Sequence, residues 1–253
     1  MEENLYHLLL KVMPPLAVVV FIALFFVKAG YGIFRTKTWG ISVPNKLGWI
    51  LMECPVFFVM LYLWSNSPCQ WQPALVVFLL LFEAHYFQRS FVFPFLLRGK
   101  SRMPVSILAM GVCFNLINGF LLGEDLFHLG AGRYPNDWLA SPLFVAGTLV
   151  FLIGMAINLH SDHVIRHLRP AGDTRHYLPQ KGMYRYVTSA NYLGELTEWT
   201  GFALLTQSEA AWIFVLWTFA NLAPRAFAIH RRYRTEFGDA AVGSRKCLIP
   251  FLF

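Results

Sequence analysis

The chain has 253 residues, 57% of them hydrophobic and only 14% charged, with a mean hydropathy of +0.49, which excludes an ordinary soluble domain and points to a membrane protein. The formal net charge is +7, yet no isolated basic tail or aromatic-interleaved basic patch points to nucleic acid. Cys54, Cys69, Cys113 and Cys247 form no CxxC and lie in separate segments, so neither a disulfide framework nor a zinc site is expected.

Seven apolar stretches follow one another, at residues 5–27, 47–64, 74–97, 105–122, 143–159, 192–205 and 210–229. Most approach the roughly 20 residues that cross a bilayer, and the sixth is short. They predict an all-α integral membrane protein with seven transmembrane helices. Every connection is short, so residues 1–253 are expected to form one domain. The first stretch follows MEEN, acidic where a secretory signal would be basic, and no small-residue cleavage pattern comes after it; it reads as a retained helix.

Ionisable groups inside such spans are costly and usually mark a site. The second span, LGWILMECPVFFVMLYLW, carries Glu53, with Pro55 loosening the helix beside it. Burial favours the protonated acid, a hydrogen-bond donor. The third span contains FEAHYFQRSFVFP, in which Tyr86 and Arg89 share a helix side. A tyrosine hydroxyl and a protonated carboxyl can donate to one carbonyl oxygen, an oxyanion-stabilising arrangement. In the fourth span, Gly119 and Gly123 form a GxxxG expected to be a helix contact.

The fifth span runs into NLHSDHVIRHLR. Wound at roughly 100° per residue, Asn158, Asp162, Arg166 and Arg169 fall within about 80° of one another, a polar stripe. His160, His163 and His167 lie on the opposite face with the HxxxH spacing of metal ligands. The other histidines, His7, His85, His128, His176 and His230, are scattered singly, so the multi-box set of a di-iron hydroxylase is not assembled and no metal is expected. The sixth span opens TSANYLGELTEW, placing Asn191, Glu195 and Glu198 on one face. Two carboxylates cannot face hydrocarbon, so this face is expected to turn towards Asn158, Asp162 and Arg169, as a site or as an interhelical charge lock.

Of the 21 Lys and Arg, 18 fall in alternate connections and the tail, from Lys28, Arg35, Lys37 and Lys46 through Arg98, Lys100 and Arg102 to Arg225, Arg231, Arg232, Arg234, Arg245 and Lys246. By the positive-inside rule the N-terminus lies outside and the C-terminus in the cytosol. Arg169, Arg225 and Arg245 also sit beside aromatic and acidic residues, as for a phosphate-bearing partner. Neither GxGxxG nor GxxxxGK[ST] occurs, so no Rossmann domain or P-loop is expected. No internal repeat supports an inverted-repeat transporter.

Taken in order, ECP around Glu53, HYFQRSFVFP, NLHSDHVIRHLR, ANYLGELTEW and the terminal SRKCLIPFLF resemble the steroid 5α-reductases. The similarity runs from about Glu53 to Phe253, and over the first helix it rests on length and hydropathy. The resemblance implies a helical membrane enzyme that binds NADPH within its bundle and reduces the C4=C5 double bond of a 3-oxo-Δ4-steroid. It implies that Glu53 and Tyr86 hold the C3 carbonyl while hydride goes to C5. The neutral acid would then work as one does in ketosteroid isomerase. Matched position by position, Asn158, Asp162, Arg169, Asn191, Glu195, Arg225, Tyr233 and Arg245 would contact the cofactor, with Arg89 and Arg98 near the same pocket. The chain departs from the family at His176 and Tyr177, where Tyr and then Arg are common, and by keeping only His230 of a histidine-rich run before Tyr233. The implied partners are a steroid enone or related lipid and the bilayer of a bacterial inner membrane or the endoplasmic reticulum, with no obligate protein partner.

Three other readings stand beside this one. A trans-2-enoyl-CoA or polyprenal reductase shares the C-terminal half. An isoprenylcysteine-type methyltransferase has a segment similar to GMYRYVTSANYLG, but this chain has Thr188, Ser189 and Ala190 where Arg-His-Pro is expected. A seven-helix receptor or transporter fits the topology, but its polar residues should line a path across the bilayer rather than cluster at one end.

Overall fold

The computed structural model describes residues 2–27, 30, 32–34, 39–98, 101–170, 173 and 175–253; of the basic residues used to orient the chain, Lys28, Arg35, Lys37 and Lys100 lie outside the described residues. Among the described residues the fold is all-α apart from one short two-stranded antiparallel sheet. Its long helices are α1 (Glu2–Phe26), α2 (Asn45–Ser65), α3 (Pro73–Phe87), α5 (Val105–Gly123), α6 (Pro142–Arg166), α7 (Ala190–Thr206) and α8 (Glu209–Phe237). The short helix α4 (Phe93–Leu96) extends α3, and α9 (Asp239–Val242) follows α8.

Six segments are long and apolar enough to cross a membrane: Glu3–Phe26, Asn45–Ser65, Pro73–Leu96, Val105–Leu129, Pro142–Arg166 and Glu209–Phe237. The remaining stretch of the seven, α7, is 17 residues long. Its inward face carries Asn191, Glu195 and Glu198, a composition that works only where neighbouring helices cover it.

Local sequence sets the helix ends. Pro73 and Pro142 stand in the first turns of α3 and α6, where a missing N–H costs nothing. Ser141 Oγ accepts from Phe144 N and Ser208 Oγ from Ala211 N, capping α6 and α8. Gln207 takes a left-handed conformation at φ 51° to end α7, which lets α8 turn back at once. In contrast to the stripe drawn through Arg169, α6 stops at Arg166 with His167 as its C-cap. Pro170 follows closely, and its ring disfavours a helical conformation in the residue before it. Arg169 therefore stands outside α6. Pro55 does not break α2, which continues through it.

Glycine governs two of the helix pairs. On α2 and α5, Gly119 abuts Val56 and Val59, and Gly123 abuts Leu63, so the GxxxG is a helix contact. Antiparallel strands β1 (Ser42–Pro44) and β2 (Arg102–Pro104) tie the starts of the same helices. The α6–α7 seam is tighter. A Cβ on Gly154 would lie 2.2 Å from Glu198 N, and one on Gly194 would lie 2.3 Å from Asn158 N. Gly147 and Gly201 repeat this meeting towards the other end, 2.5 Å from Leu205 N and 2.2 Å from Phe151 N. The partners are backbone, so they cannot swing aside. α1 packs on α8 through the stacked rings of Phe21 and Phe219, 5.8 Å apart, and Trp217 Nε1 donates to Met13 O at 3.0 Å.

The ends of α5 and α7 and the start of α8 share a polar network. A π-helical extension, Glu124–Leu129, follows α5 and buries Asp125. Asp125 accepts from Arg133 Nη2 at 2.9 Å and from Ser208 Oγ. Tyr134 donates to Thr206 O and Trp138 to Leu205 O. This end is stapled shut, and the opposite end holds the candidate site. The seam yields a prediction: Gly154→Ala must part α6 from α7 and should cost about 1–3 kcal/mol by overpacking. Thermal melting in detergent micelles should show a lowered Tm for it and no change for Gly132→Ala, where nothing lies within 4 Å.

Candidate active site

Because α6 and α7 run antiparallel with their backbones in contact, the last turns of α6 face the first turns of α7. Asn158, 3% exposed, donates from Nδ2 to Asn191 O at 3.0 Å. Tyr184, in the turn leading to α7, donates to Asn191 Oδ1 at 3.3 Å. On either side of this pair, Asp162 and Glu195 present carboxylates to a single cation, Arg89. Its Nη1 lies 3.1 Å from Asp162 Oδ2, and its Nη2 lies 3.6 Å from Glu195 Oε2.

Arg89 reaches both helices from a π-helical stretch, Gln88–Val92, that joins α3 to α4. An insertion of this kind shifts the side-chain register of a helix and often marks functional sites. The guanidinium lies over Trp49 at 5.0 Å and Phe93 at 4.7 Å. These stacking faces shield it from hydrocarbon.

Glu53 and Tyr86 project into the same region. Asn115, buried on α5, donates from Nδ2 to Met52 O at 2.7 Å and to Glu53 Oε2 at 3.2 Å, which orients the acid. Tyr86, 3% exposed, packs against Phe82 at 4.7 Å, His85 at 5.0 Å and Trp199 at 5.7 Å between ring centroids. Glu53 is within electrostatic reach of Arg89, Glu195 and His85. Tyr86 is within reach of Glu53, Glu195, Arg89 and Glu198. Helices α2, α3, α6 and α7 thus contribute to one buried cluster that sets two hydrogen-bonding groups beside a row of carboxylates bridged by an arginine.

The other basic and phenolic residues spread over the same end. Arg225 Nε donates to the Tyr192 hydroxyl at 2.7 Å, and its guanidinium lies 5.7 Å from the Phe34 ring. Tyr233 packs on Phe237 at 5.8 Å and lies within electrostatic reach of Arg169. Arg169 and Arg98 are exposed. Arg245 is committed to backbone carbonyls, donating from Nε to Val242 O at 2.7 Å and from Nη1 to Pro179 O at 3.0 Å, and to Ala241 O. It caps α9 and holds the tail in place. The tail pairs alongside the segment before α7, with Thr188 N donating to Lys246 O and Ser189 N to Cys247 O. His176 Nδ1 lies 2.8 Å from Glu236 Oε1, and the Tyr177 hydroxyl donates to Asp173 Oδ2 at 2.7 Å. Hydrogen bonds from Arg175 and Tyr177 hold the Asp173 carboxyl well below the usual carboxylate range.

One pair escapes sequence reasoning. His85 Nδ1 lies 2.8 Å from Glu198 Oε1, with side chains only 6% and 1% exposed. His85 stands next to Tyr86, and Glu198 lies one turn from Glu195, so both were adjacent to site residues. The signal was two unpaired ionisable residues in two different spans, each needing a partner. His160, His163 and His167 line a shared surface cleft with Leu178 and Lys181, away from this cluster.

The family described as 3-oxo-5-alpha-steroid 4-dehydrogenase matches residues 101–253. The chain is 36% identical over 243 residues to 3-oxo-5-alpha-steroid 4-dehydrogenase 1 of Bos taurus, covering 94% of this chain and 93% of the relative. It is 39% identical over 236 residues to 3-oxo-5-alpha-steroid 4-dehydrogenase 2 of Sus scrofa, covering 92% and 91%. It is 33% identical over 256 residues to the steroid 5-alpha-reductase DET2 of Gossypium hirsutum, covering 100% and 99%. With matches of this extent, the chain belongs to the steroid 5α-reductase, or 3-oxo-5-alpha-steroid 4-dehydrogenase, family.

Proposed function

We propose that this protein is an NADPH-dependent steroid 5α-reductase that saturates the C4=C5 double bond of a 3-oxo-Δ4-steroid. The observation that carries this reading is the convergence of Glu53 and Tyr86 with Arg89, Asp162 and Glu195 in one buried cluster. The relatives are named for 5α-reduction of 3-oxo-steroids, and the cluster holds the groups that such a reaction needs.

In this mechanism the Glu53 carboxyl and the Tyr86 hydroxyl donate hydrogen bonds to the C3 oxygen. As C5 is reduced, electron density moves through the enone onto that oxygen, and two donors in a water-poor site stabilise it there. Asn115 keeps the Glu53 carboxyl aimed, and the ring cage around Tyr86 keeps its hydroxyl in place. NADPH, when bound, would supply the two electrons as hydride to C5, and the resulting enolate takes a proton at C4 to complete the saturation.

The residues fit that cofactor. Asn158 and Asn191 offer amides, and Asp162 and Glu195 offer acceptors for amide and hydroxyl groups. Arg89 balances the two acids within the cluster. Buried Arg166 Nη1, Ser161 Oγ and Ser189 Oγ make no hydrogen bond among the described residues, and they stand on α6 and at the start of α7, where a polar ligand would satisfy them. Arg98, Arg169, Arg225 and Arg245, with Tyr233, surround the cluster at the same end, and arginines suit pyrophosphate and a 2′-phosphate. The proposed topology has α7 as a seventh span, the N-terminus outside and the basic end of the bundle in the cytosol, where the positive-inside rule puts it.

Three outcomes test the reading. Purified protein under anaerobic conditions should consume NADPH with testosterone or progesterone, and mass spectrometry should find a product two hydrogens heavier with 5α stereochemistry; NADPH binding with no steroid product would end the steroid assignment. Tyr86→Phe and Glu53→Gln should lower kcat by about 100-fold or more, the scale of losing an oxyanion donor, with NADPH binding kept. Normal turnover in both would remove the donors from the mechanism. Arg169→Ala should weaken NADPH binding about tenfold, a charge-assisted contact of about 1.4 kcal/mol, and titration of cofactor fluorescence would show it.

A further inference from the structure

We propose that His85 and Glu198 form a positioning pair that sets where Tyr86 meets the substrate carbonyl; the inference rests on the steroid-reductase reading. Two consecutive residues on α3, His85 and Tyr86, interlock with two on α7, Glu198 and Trp199. His85 Nδ1 is 2.8 Å from Glu198 Oε1. The His85 ring lies 4.6 Å from the Trp199 ring, and Tyr86 lies 5.7 Å from the same indole. Trp199 is 1% exposed and packs in turn on Phe214, so it is an anchored surface for both rings.

The pair has little reason to exist for stability alone. Burying an imidazole and a carboxylate is costly, and a packed apolar pair would hold two helices as well. A hydrogen bond adds a fixed length and direction. Glu198 Oε2 is buried with no hydrogen bond among the described residues, so the carboxyl is committed to His85 alone. Its backbone is fixed too, because Glu198 N is the atom against which Gly154 closes. Position therefore passes from the α6–α7 seam to Glu198, then to His85, and then to Tyr86.

A second rung lies one turn away. Arg89 meets Glu195 at 3.6 Å, so α3 with its π-helical continuation runs antiparallel to α7 and is joined to it at 85–198 and at 89–195. Arg89 and Glu195 are the more exposed rung, with side chains 11% and 21% exposed against 6% and 1%. The wetter rung borders the cofactor residues, and the drier one sets the tyrosine.

The test compares wild type with His85→Ala, His85→Phe, His85→Asn, Glu198→Ala and Glu198→Gln for kcat, steroid KM and NADPH affinity. His85→Phe keeps the ring contacts with Tyr86 and Trp199 but cannot bond Glu198. His85→Asn and Glu198→Gln can still make one hydrogen bond across the gap. The two alanine variants and His85→Phe should lose kcat on the order of 100-fold, as a reacting group displaced by about 1 Å does, while NADPH affinity is retained. His85→Asn and Glu198→Gln should recover most of that loss. Wild-type kcat in His85→Phe, or conservative variants no better than alanine at equal folded yield, would overturn the positioning role. Wild-type protein that binds NADPH and leaves the enone untouched would overturn the functional reading and this inference with it.

Discussion

The close approach of α6 and α7 is the constraint from which the rest of the site follows. Gly147 and Gly154 on one helix meet Gly194 and Gly201 on the other, and each would drive a Cβ into backbone. In lipid there is no hydrophobic drive to bring helices together, so contact between small residues has to supply it. The seven-residue spacing of each glycine pair keeps them on one stripe over two turns. With axes this close and antiparallel, Asn158 meets Asn191, with Asp162 towards one side of that pair and Glu195 towards the other, and Arg89 spans the two carboxylates. Larger residues at the seam would leave a gap there, and polar groups on both sides would lose their partners.

The two ends of the bundle spend their buried polar groups differently. At one end Asp125, Arg133, Ser208, Tyr134 and Thr206 satisfy one another through hydrogen bonds that also cap helices. At the other, Ser161 Oγ, Arg166 Nη1 and Ser189 Oγ are buried without hydrogen bonds among the described residues. A folded chain rarely leaves such groups unsatisfied without a reason. The bonded end holds the helices in register, and the other leaves these polar groups for the proposed ligand. Both π-helical stretches fit this division, since one buries Asp125 in the closed end and the other aims Arg89 into the site.

Hydropathy and charge made the long helices legible, because a bilayer imposes length and composition directly on sequence. The wheel arithmetic for Asn158 and Asp162, and for Asn191, Glu195 and Glu198, also placed those faces inward. It failed at Arg169, since a wheel continues indefinitely and cannot see that His167 caps the helix. The pairing of His85 with Glu198 was hidden for a different reason. Residues 113 positions apart meet only once the helix order and rotation are known, and neither is written in a local pattern. Arg245 shows a third limit: its donors go to carbonyls at Val242, Pro179 and Ala241, contacts that no local pattern displays.

The order of charges through the site gives the proposed cofactor a direction. Asp162 and Glu195 lie deep, next to Glu53 and Tyr86, whereas Arg98 and Arg169 are exposed. A phosphate placed between the two acids would meet repulsion that Arg89 alone, already bonded to both, does not offset. In the proposed complex the phosphates of the dinucleotide would lie among the outer arginines, and its uncharged end would share the buried region with the carbonyl donors. Arg245 also holds the tail against the segment before α7. A ligand that is long, charged at one end and neutral at the other fits that gradient, and a compact anion does not.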